Sequence, residues 1–132
     1  MKKPIHISGT RKKAKARATL KEGKGMIRVN KKPIDQCGPE ILRLKIKEPL
    51  ILAGDVASKV DIEVNTFGGG VMSQAEAARL AIARVLVAYS TKLKKIFLSY
   101  DRNLLVADVR QRESRKPNTG GKARGKIQKS YR

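Results

Sequence analysis

The chain has 132 residues, of which 31 are Lys or Arg and 11 are Asp or Glu, so its formal net charge is +20. This length suits one domain, and so large a charge destabilises a compact protein by self-repulsion unless a polyanionic partner offsets it. The single cysteine, Cys37, excludes an internal disulfide, and no apolar run approaches the ~20 residues of a membrane helix. We expect no signal peptide, and the composition excludes secreted disulfide scaffolds and membrane-spanning proteins while favouring a nucleic-acid partner.

The basic residues are concentrated at the two ends of the chain. Residues 1–32 carry a net charge of +11, residues 33–100 only +2, and residues 101–132 a charge of +7. This distribution is typical of a globular body with nucleic-acid-binding extensions. After Glu113 the sequence has seven cations, no acid and few apolar residues, so this stretch cannot bury enough surface to fold alone. It predicts either a solubilising tail or an arm that orders on RNA or DNA, and the lack of acids favours the arm.

The first predicted elements are a β-hairpin and a short helix. Residues 16–20 and 26–30 alternate apolar and polar side chains, and a glycine-bearing connection separates them, so they predict two paired strands with arginines on the outer face. A helix is predicted over residues 38–47, because Pro39 suits the first helical position and Pro49 would stop the helix.

A strictly alternating strand and a glycine turn follow. Residues 60–67 predict a strand whose Val60, Ile62 and Val64 face the core. The next three residues are Gly68, Gly69 and Gly70. They indicate a tight turn that needs positive φ, a place where a phosphate approaches backbone N–H groups at a helix N-terminus, or both.

Two further helices are predicted, over residues 71–89 and 91–100. Ser73 and Glu76 have capping-box spacing at the start of the first, whose many alanines indicate close approach to a sheet. The second carries an apolar stripe that should pack inward, formed by Leu93, Ile96, Phe97 and Tyr100. Residues 104–107 are expected to dock on the core as a short strand or helical turn.

Catalytic chemistry finds little support in the sequence. His6 is the only histidine and lies far along the chain from Cys37, and these two residues do not supply the three or four ligands of a metal site or a recognisable activated nucleophile. Asp61 and Glu63 share one face of a strand, an arrangement that is more often the polar side of a half-buried strand than a two-carboxylate site. We therefore expect no enzyme activity, no cofactor and no metal.

Motifs in order along nearly the whole chain resemble the small-subunit ribosomal protein family nine. They comprise residues 9–17, 23–25, 29–34, 60–64 and 68–70, then Ser73, Gln74 and Ala78, and finally residues 108–110 with Glu113, and residues 122–132. Each motif is weak alone, but the ordered set is specific. The ending over residues 128–132 resembles the archaeal and eukaryotic branch of the family.

The resemblance implies an α+β fold in a single domain over residues 1–108, with a mostly antiparallel sheet packed by helices. It also implies a left-handed β-α-β crossover, against the usual right-handed rule, and an extended basic C-terminal tail over residues 109–132. Such a protein would be a cytoplasmic structural constituent of the small ribosomal subunit, without membrane contact. Its partners would be ribosomal RNA of the subunit head (the 3′ major domain), neighbouring small-subunit proteins and, through the tail, peptidyl-site transfer RNA.

The predicted RNA contacts are basic side chains at both ends of the chain. Those expected to bind ribosomal RNA are Arg11, Lys12, Lys13, Lys15, Arg17, Arg28, Arg110, Arg112, Arg115, Lys116, Lys122, Arg124 and Lys126, with the glycine turn approaching a phosphate. The family's tail tip, expected near transfer RNA, corresponds to Lys129, Ser130, Tyr131 and Arg132. For Arg79 and Arg84 on the long helix, RNA contact and plain solvation stay open.

Two other classes of protein compete with this interpretation. A basic protein subunit of an RNA-processing ribonuclease would need an RNA partner or a metal site, for which Asp61 and Glu63 are the first candidates. A DNA-compacting architectural protein would usually need apolar wedges or a dimer interface, and the sequence shows neither.

Overall fold

The structure is a computed structural model that describes residues 2–126 and 130–131. Within these residues five strands form one sheet: β1 (Ile5–Arg11), β2 (Ala14–Glu22), β3 (Ile27–Val29), β4 (Lys32–Pro33) and β5 (Val60–Phe67). The α-helices of the same residues are α1 (Glu40–Ala53), α2 (Val71–Tyr89) and α3 (Leu93–Tyr100). None of the helices in these ranges is long and apolar enough to cross a bilayer.

The sheet has the order β1-β2-β5-β3-β4 and is antiparallel except between β3 and β5. This arrangement confirms the expected single-domain α+β fold with a mostly antiparallel sheet. Helix α1 lies in the connection between the two parallel strands, which is the place for the expected left-handed crossover. The hand of that crossover stays a prediction.

The hairpin predicted from residues 16–20 and 26–30 is wrong in its pairing. Strand β5 lies between β2 and β3, and the real hairpin joins β1 to β2. The expected alternation is confirmed, since Ala18 and Leu20 are buried while Arg17 is exposed. Alternation determines which face is buried but not which strand is the neighbour, so a strand from later in the chain can insert.

The bounds of α1 predicted from its two prolines are also wrong. The helix continues through Pro49 to Ala53 and ends at Gly54, which has a φ of 56°. Pro39 is the N-cap residue rather than the first helical residue. Pro49 lacks the N–H that a helix interior uses, but it belongs to a buried stripe with Leu42, Ile46 and Ala53, and that burial offsets the lost hydrogen bond.

The predicted capping box at the start of α2 is wrong. The helix begins at Val71 after Gly70, no side chain accepts a capping hydrogen bond there, and the Glu76 carboxylate instead pairs with cations.

The predicted apolar stripe of α3 is correct for two of its four residues. Leu93 and Phe97 are buried, whereas Ile96 and Tyr100 are exposed. Leu104 is buried in a 3-10 turn (Arg102–Leu104), in agreement with the expected docking of that segment.

The core is an aliphatic layer in which α2 lies directly on the sheet. A Cβ atom added to Gly9 of β1 would lie 2.6 Å from the Ala77 carbonyl oxygen and 2.8 Å from the Ala81 amide nitrogen. Backbone therefore packs against backbone at this point, and the alanines of α2 permit the approach. The close packing predicted from the alanine content is confirmed.

The contact at Gly9 can be tested by adding a single methyl group. Gly9→Ala should lower the free energy of unfolding by about 1–3 kcal/mol, because interiors tolerate overpacking poorly. Urea denaturation measures this loss. The control is Gly125→Ala, the same chemical change in the tail, where the nearest atom lies 3.9 Å from the added Cβ. Equal stability of the two variants would contradict the direct packing of α2 on β1.

Candidate nucleic-acid interface

Three segments of the chain meet at one end of the sheet. The β1–β2 turn contains Lys12 and Lys13, and a Cβ added to Gly68 would lie 2.8 Å from the Lys13 carbonyl oxygen. The side chain of Gln111, at the start of the tail, donates to the Lys12 carbonyl oxygen at 3.3 Å. We call this region the basic end of the sheet: the β1–β2 turn, Lys15 and Arg17 of β2, the glycine turn, and residues 110–112. It brings cations from both ends of the sequence to one surface.

The glycine turn needs glycine at two of its three positions. Gly68 and Gly69 have φ values of 73° and 62°, and a Cβ on Gly69 would lie 2.9 Å from the Ala14 amide nitrogen. Gly70 has a φ of −96° and open space around it, and it is the N-cap residue of α2. The tight-turn interpretation is confirmed. The approach of a phosphate to this turn stays a prediction.

Arg11 is largely buried against acidic side chains rather than fully exposed at the basic end. Its Nε donates to the Glu76 carboxylate at 2.7 Å, its Nη1 lies 3.5 Å from the Asp108 carboxylate, and only 15% of its side chain is exposed. Lys45 of α1 pairs with the same glutamate at 2.8 Å. Hydrogen bonds from Lys45 and then Arg11 lower the pKa of Glu76. The arginine predicted to contact RNA thus joins β1 to α2 and to the start of the tail.

Asp108 holds the first residues of the tail in place through Arg110. It accepts hydrogen bonds from the Arg110 guanidinium at 2.6–3.1 Å and from the Arg110 backbone amide at 2.9 Å. The guanidinium and then the amide hold the pKa of this carboxyl well below its usual range. The Arg110 side chain remains 77% exposed, so it can still face a partner.

Arg79 and Arg84 are not simply solvated, because both guanidinium groups have partners within the protein. The Arg79 guanidinium pairs with Glu48 of α1 at 2.5 Å and with Asp101 at 3.2 Å. Arg84 donates to the carbonyl oxygen of Leu105 at 3.1 Å. Both side chains therefore connect α2 to neighbouring elements. The sequence gives no signal for this role, because their acceptors lie more than twenty residues away.

Most of the other predicted contact residues are exposed cations. Within the described ranges no acidic side chain pairs with Lys12, Lys13, Lys15, Arg17, Arg28, Arg112, Arg115, Lys122 or Lys126. Glu113 pairs with Lys116 at 2.7 Å and with Arg124 at 3.0 Å, which closes a turn in the tail. Of the predicted tip, Ser130 and Tyr131 are exposed, and Lys129 and Arg132 lie outside the described residues.

Asp61 has a local structural role. Its carboxylate accepts hydrogen bonds from the backbone amides of Lys24 and Met26, each at 2.8 Å, and the Met26 amide followed by that of Lys24 lowers its pKa. This contact holds the β2–β3 connection against β5, where Glu63 lies on the same outer face. Among the described residues, no group of three or more His, Cys, Asp or Glu side chains could hold a metal ion.

An α+β domain with a group of exposed cations at one end of its sheet has the charge pattern typical of basic proteins that bind a polyanion. The family described as ribosomal protein S9/S16 matches residues 9–132. Curated relatives from Methanococcus maripaludis (strain C7) and Methanococcus vannielii, each called small ribosomal subunit protein uS9, are 47% and 46% identical over 133 residues. Each match covers 98% of this chain and 99% of the relative. The chain therefore belongs to the ribosomal protein S9/S16 family.

The ion pairs of Glu76 should make stability depend on pH. The pKa of Glu76 is lowered in the folded state, so the stabilisation is present above the unfolded value of about 4.3 and is lost as the pH falls. Glu76→Gln should lower the free energy of unfolding at pH 7 by about 1–2 kcal/mol, between the values for exposed and buried pairs. This difference should shrink below about pH 4.

Denaturant unfolding at several pH values measures this effect. Glu63→Gln, which removes an exposed carboxylate from the outer face of β5, is the control and should behave like the wild type at every pH. A Glu76→Gln variant that is equally destabilised at pH 3 and pH 7 would show that the ion pairs are not the cause.

Proposed function

We propose that the protein is a structural constituent of the small ribosomal subunit that binds ribosomal RNA of the subunit head. The observation that carries this proposal is the basic end of the sheet, where exposed cations from both ends of the chain meet beside the glycine turn. Membership of the ribosomal protein S9/S16 family and the full-length similarity to proteins called small ribosomal subunit protein uS9 support it. The site would act in ribosomes of the cytoplasm, next to other proteins of the subunit.

The proposed work of the basic end is phosphate neutralisation. Lys12, Lys13 and Lys15 are exposed and close together along the β1–β2 turn, so they can replace counterions along an RNA backbone. Such contacts position the protein without identifying bases, and specificity then comes from the shape of folded RNA. The N-terminus of α2 follows the glycine turn, and its backbone N–H groups would add a favourable dipole for one phosphate.

The tail over residues 109–132 would continue this surface toward the transfer RNA of the peptidyl site. Asp108 and Gln111 fasten its root to the basic end, and Glu113 holds Lys116 and Arg124 in a turn. The proposed tip contacts are Lys129, Ser130, Tyr131 and Arg132. Cations there would attract the transfer-RNA backbone and favour its retention.

The basic end can be tested by neutralising its lysines. The triple variant Lys12→Gln, Lys13→Gln, Lys15→Gln should bind small-subunit head RNA more weakly and should reduce the slope of log K against log salt by about 2–3, roughly one per lost phosphate contact. Binding titrations over a range of salt concentrations measure the slope.

The matched control removes the same charge elsewhere: Lys92→Gln, Lys94→Gln, Lys95→Gln, three exposed lysines at the start of α3. Its salt slope should change less. If the two triple variants lose the same slope, the RNA interface is not located at the basic end.

The tail tip can be tested by truncation. Deleting residues 129–132 should leave the folded body and subunit assembly intact, because these residues follow the last packed element, Arg102–Leu104. Peptidyl-site transfer RNA should bind several-fold more weakly to subunits carrying the truncated protein, as filter binding can measure. Unchanged transfer-RNA affinity in such subunits would refute this role of the tip.

A further inference from the structure

Among the described residues, no helix covers one of the two faces of the sheet. Helix α2 covers the side formed by the buried residues of β1, β2 and β5, and the opposite side chains point to solvent. On this outer face, β5 contributes Asp61, Glu63, Asn65 and Phe67, which in the antiparallel register lie opposite Lys21, Thr19, Arg17 and Lys15 of β2, respectively. A polar open face is ordinary for an antiparallel sheet. An exposed phenyl ring on it calls for an explanation.

Phe67 is that ring. It is 43% exposed, in contrast to Phe97, which is fully buried in the core. The Cζ atom of Arg17 lies 5.2 Å from the centroid of the Phe67 ring, a cation–π contact that holds the guanidinium beside the ring. Lys15 lies directly across from Phe67 in the strand register. The ring thus has two basic residues beside it, one in cation–π contact and one opposite it in the strand register.

The acidic side chains of β5 are confined to one half of the outer face. The half that ends in Phe67 carries Lys15 and Arg17 and no acid, whereas Asp61 and Glu63 lie on the other half of β5. The aromatic ring is therefore in the half that attracts anions, next to the turn that holds Lys12 and Lys13. The amide of Asn65, opposite Arg17 in the register, adds a donor and an acceptor at the same place.

We propose that Phe67 and Arg17 form a stacking site for an unpaired base of RNA on the open face of the sheet. The proposal rests on the proposed RNA binding and adds a kind of recognition that phosphate contacts do not supply. A phenyl ring and a guanidinium plane both stack on bases, whatever the base. A duplex presents its bases already stacked, so the site should prefer single-stranded segments. The neighbouring lysines would hold the flanking phosphates.

A single tryptophan can report on this site. The chain contains no Trp, so Phe67→Trp in the full-length protein places the only indole on the open face. Its fluorescence should be quenched on adding a single-stranded oligoadenylate, and much less on adding an RNA duplex of the same length. The ring is 43% exposed on the face of β5 opposite the core, so the fold should tolerate this change, and circular dichroism checks that it does. Equal quenching by both RNAs, or quenching by neither, would overturn the stacking site.

Two further substitutions measure the energetic contribution. Phe67→Leu keeps an apolar side chain without a π face, and it should weaken binding of the oligoadenylate about tenfold, the usual scale for losing one base–aromatic stack. Its salt slope should stay that of the wild type, because no phosphate contact is removed. Phe67→Tyr keeps the π face and should bind like the wild type.

The outcomes separate this proposal from the proposed function. If wild-type protein binds neither oligoadenylate nor head RNA, the proposed RNA binding itself fails. If wild-type protein binds with its normal salt slope, and Phe67→Leu and Phe67→Tyr bind equally well, RNA binding stands and the stacking site is wrong.

Discussion

The direct contact between the backbones of β1 and α2 is the constraint on which the other features depend. Because Gly9 has no side chain, Ala77 and Ala81 of α2 lie against the strand itself. This close position places the start of α2, and with it the glycine turn, beside the β1–β2 turn. It also brings Glu76 within reach of Arg11. The packing of small residues in the core therefore decides where the exposed lysines and the root of the tail are found.

The acids of this chain divide its cations into two populations. Glu76, Glu48, Asp101 and Asp108 each hold an arginine, and those pairs connect α1, α2, the end of α3 and the start of the tail. The remaining basic side chains at the basic end have no acidic partner within the described ranges. A protein with a net charge of +20 thus uses several of its few acids to stabilise the body and leaves most cations of the basic end unneutralised. The balance of charge, rather than any single residue, gives that surface its positive potential.

The sequence predicts the faces of the elements better than their neighbours. The alternation of β5 and the alanines of α2 correctly indicate which side chains are buried, because burial patterns are local. The pairing of β2 with β5 joins residues that lie far apart in the chain, and residues 16–30 contain no pattern that predicts it. Pro49 shows the same limit. The helix hydrogen bond that a proline cannot donate is evident from the sequence, whereas the burial that offsets this loss comes from tertiary packing.

The environments of the arginines were harder to predict than those of the lysines for a related physical reason. Arg11, Arg79 and Arg84 look like surface cations in sequence, yet each finds a carboxylate or carbonyl acceptor on a distant segment. A guanidinium has several donors in a rigid plane and is less strongly hydrated than an ammonium group, so it suits such half-buried connections. Lys12, Lys13 and Lys15, with compact and strongly hydrated charges, stay exposed. Residue type therefore helps to separate cations that join elements of the body from cations that stay exposed. Arg17 at the basic end belongs to the exposed group, because its guanidinium lies on the Phe67 ring rather than against an acid.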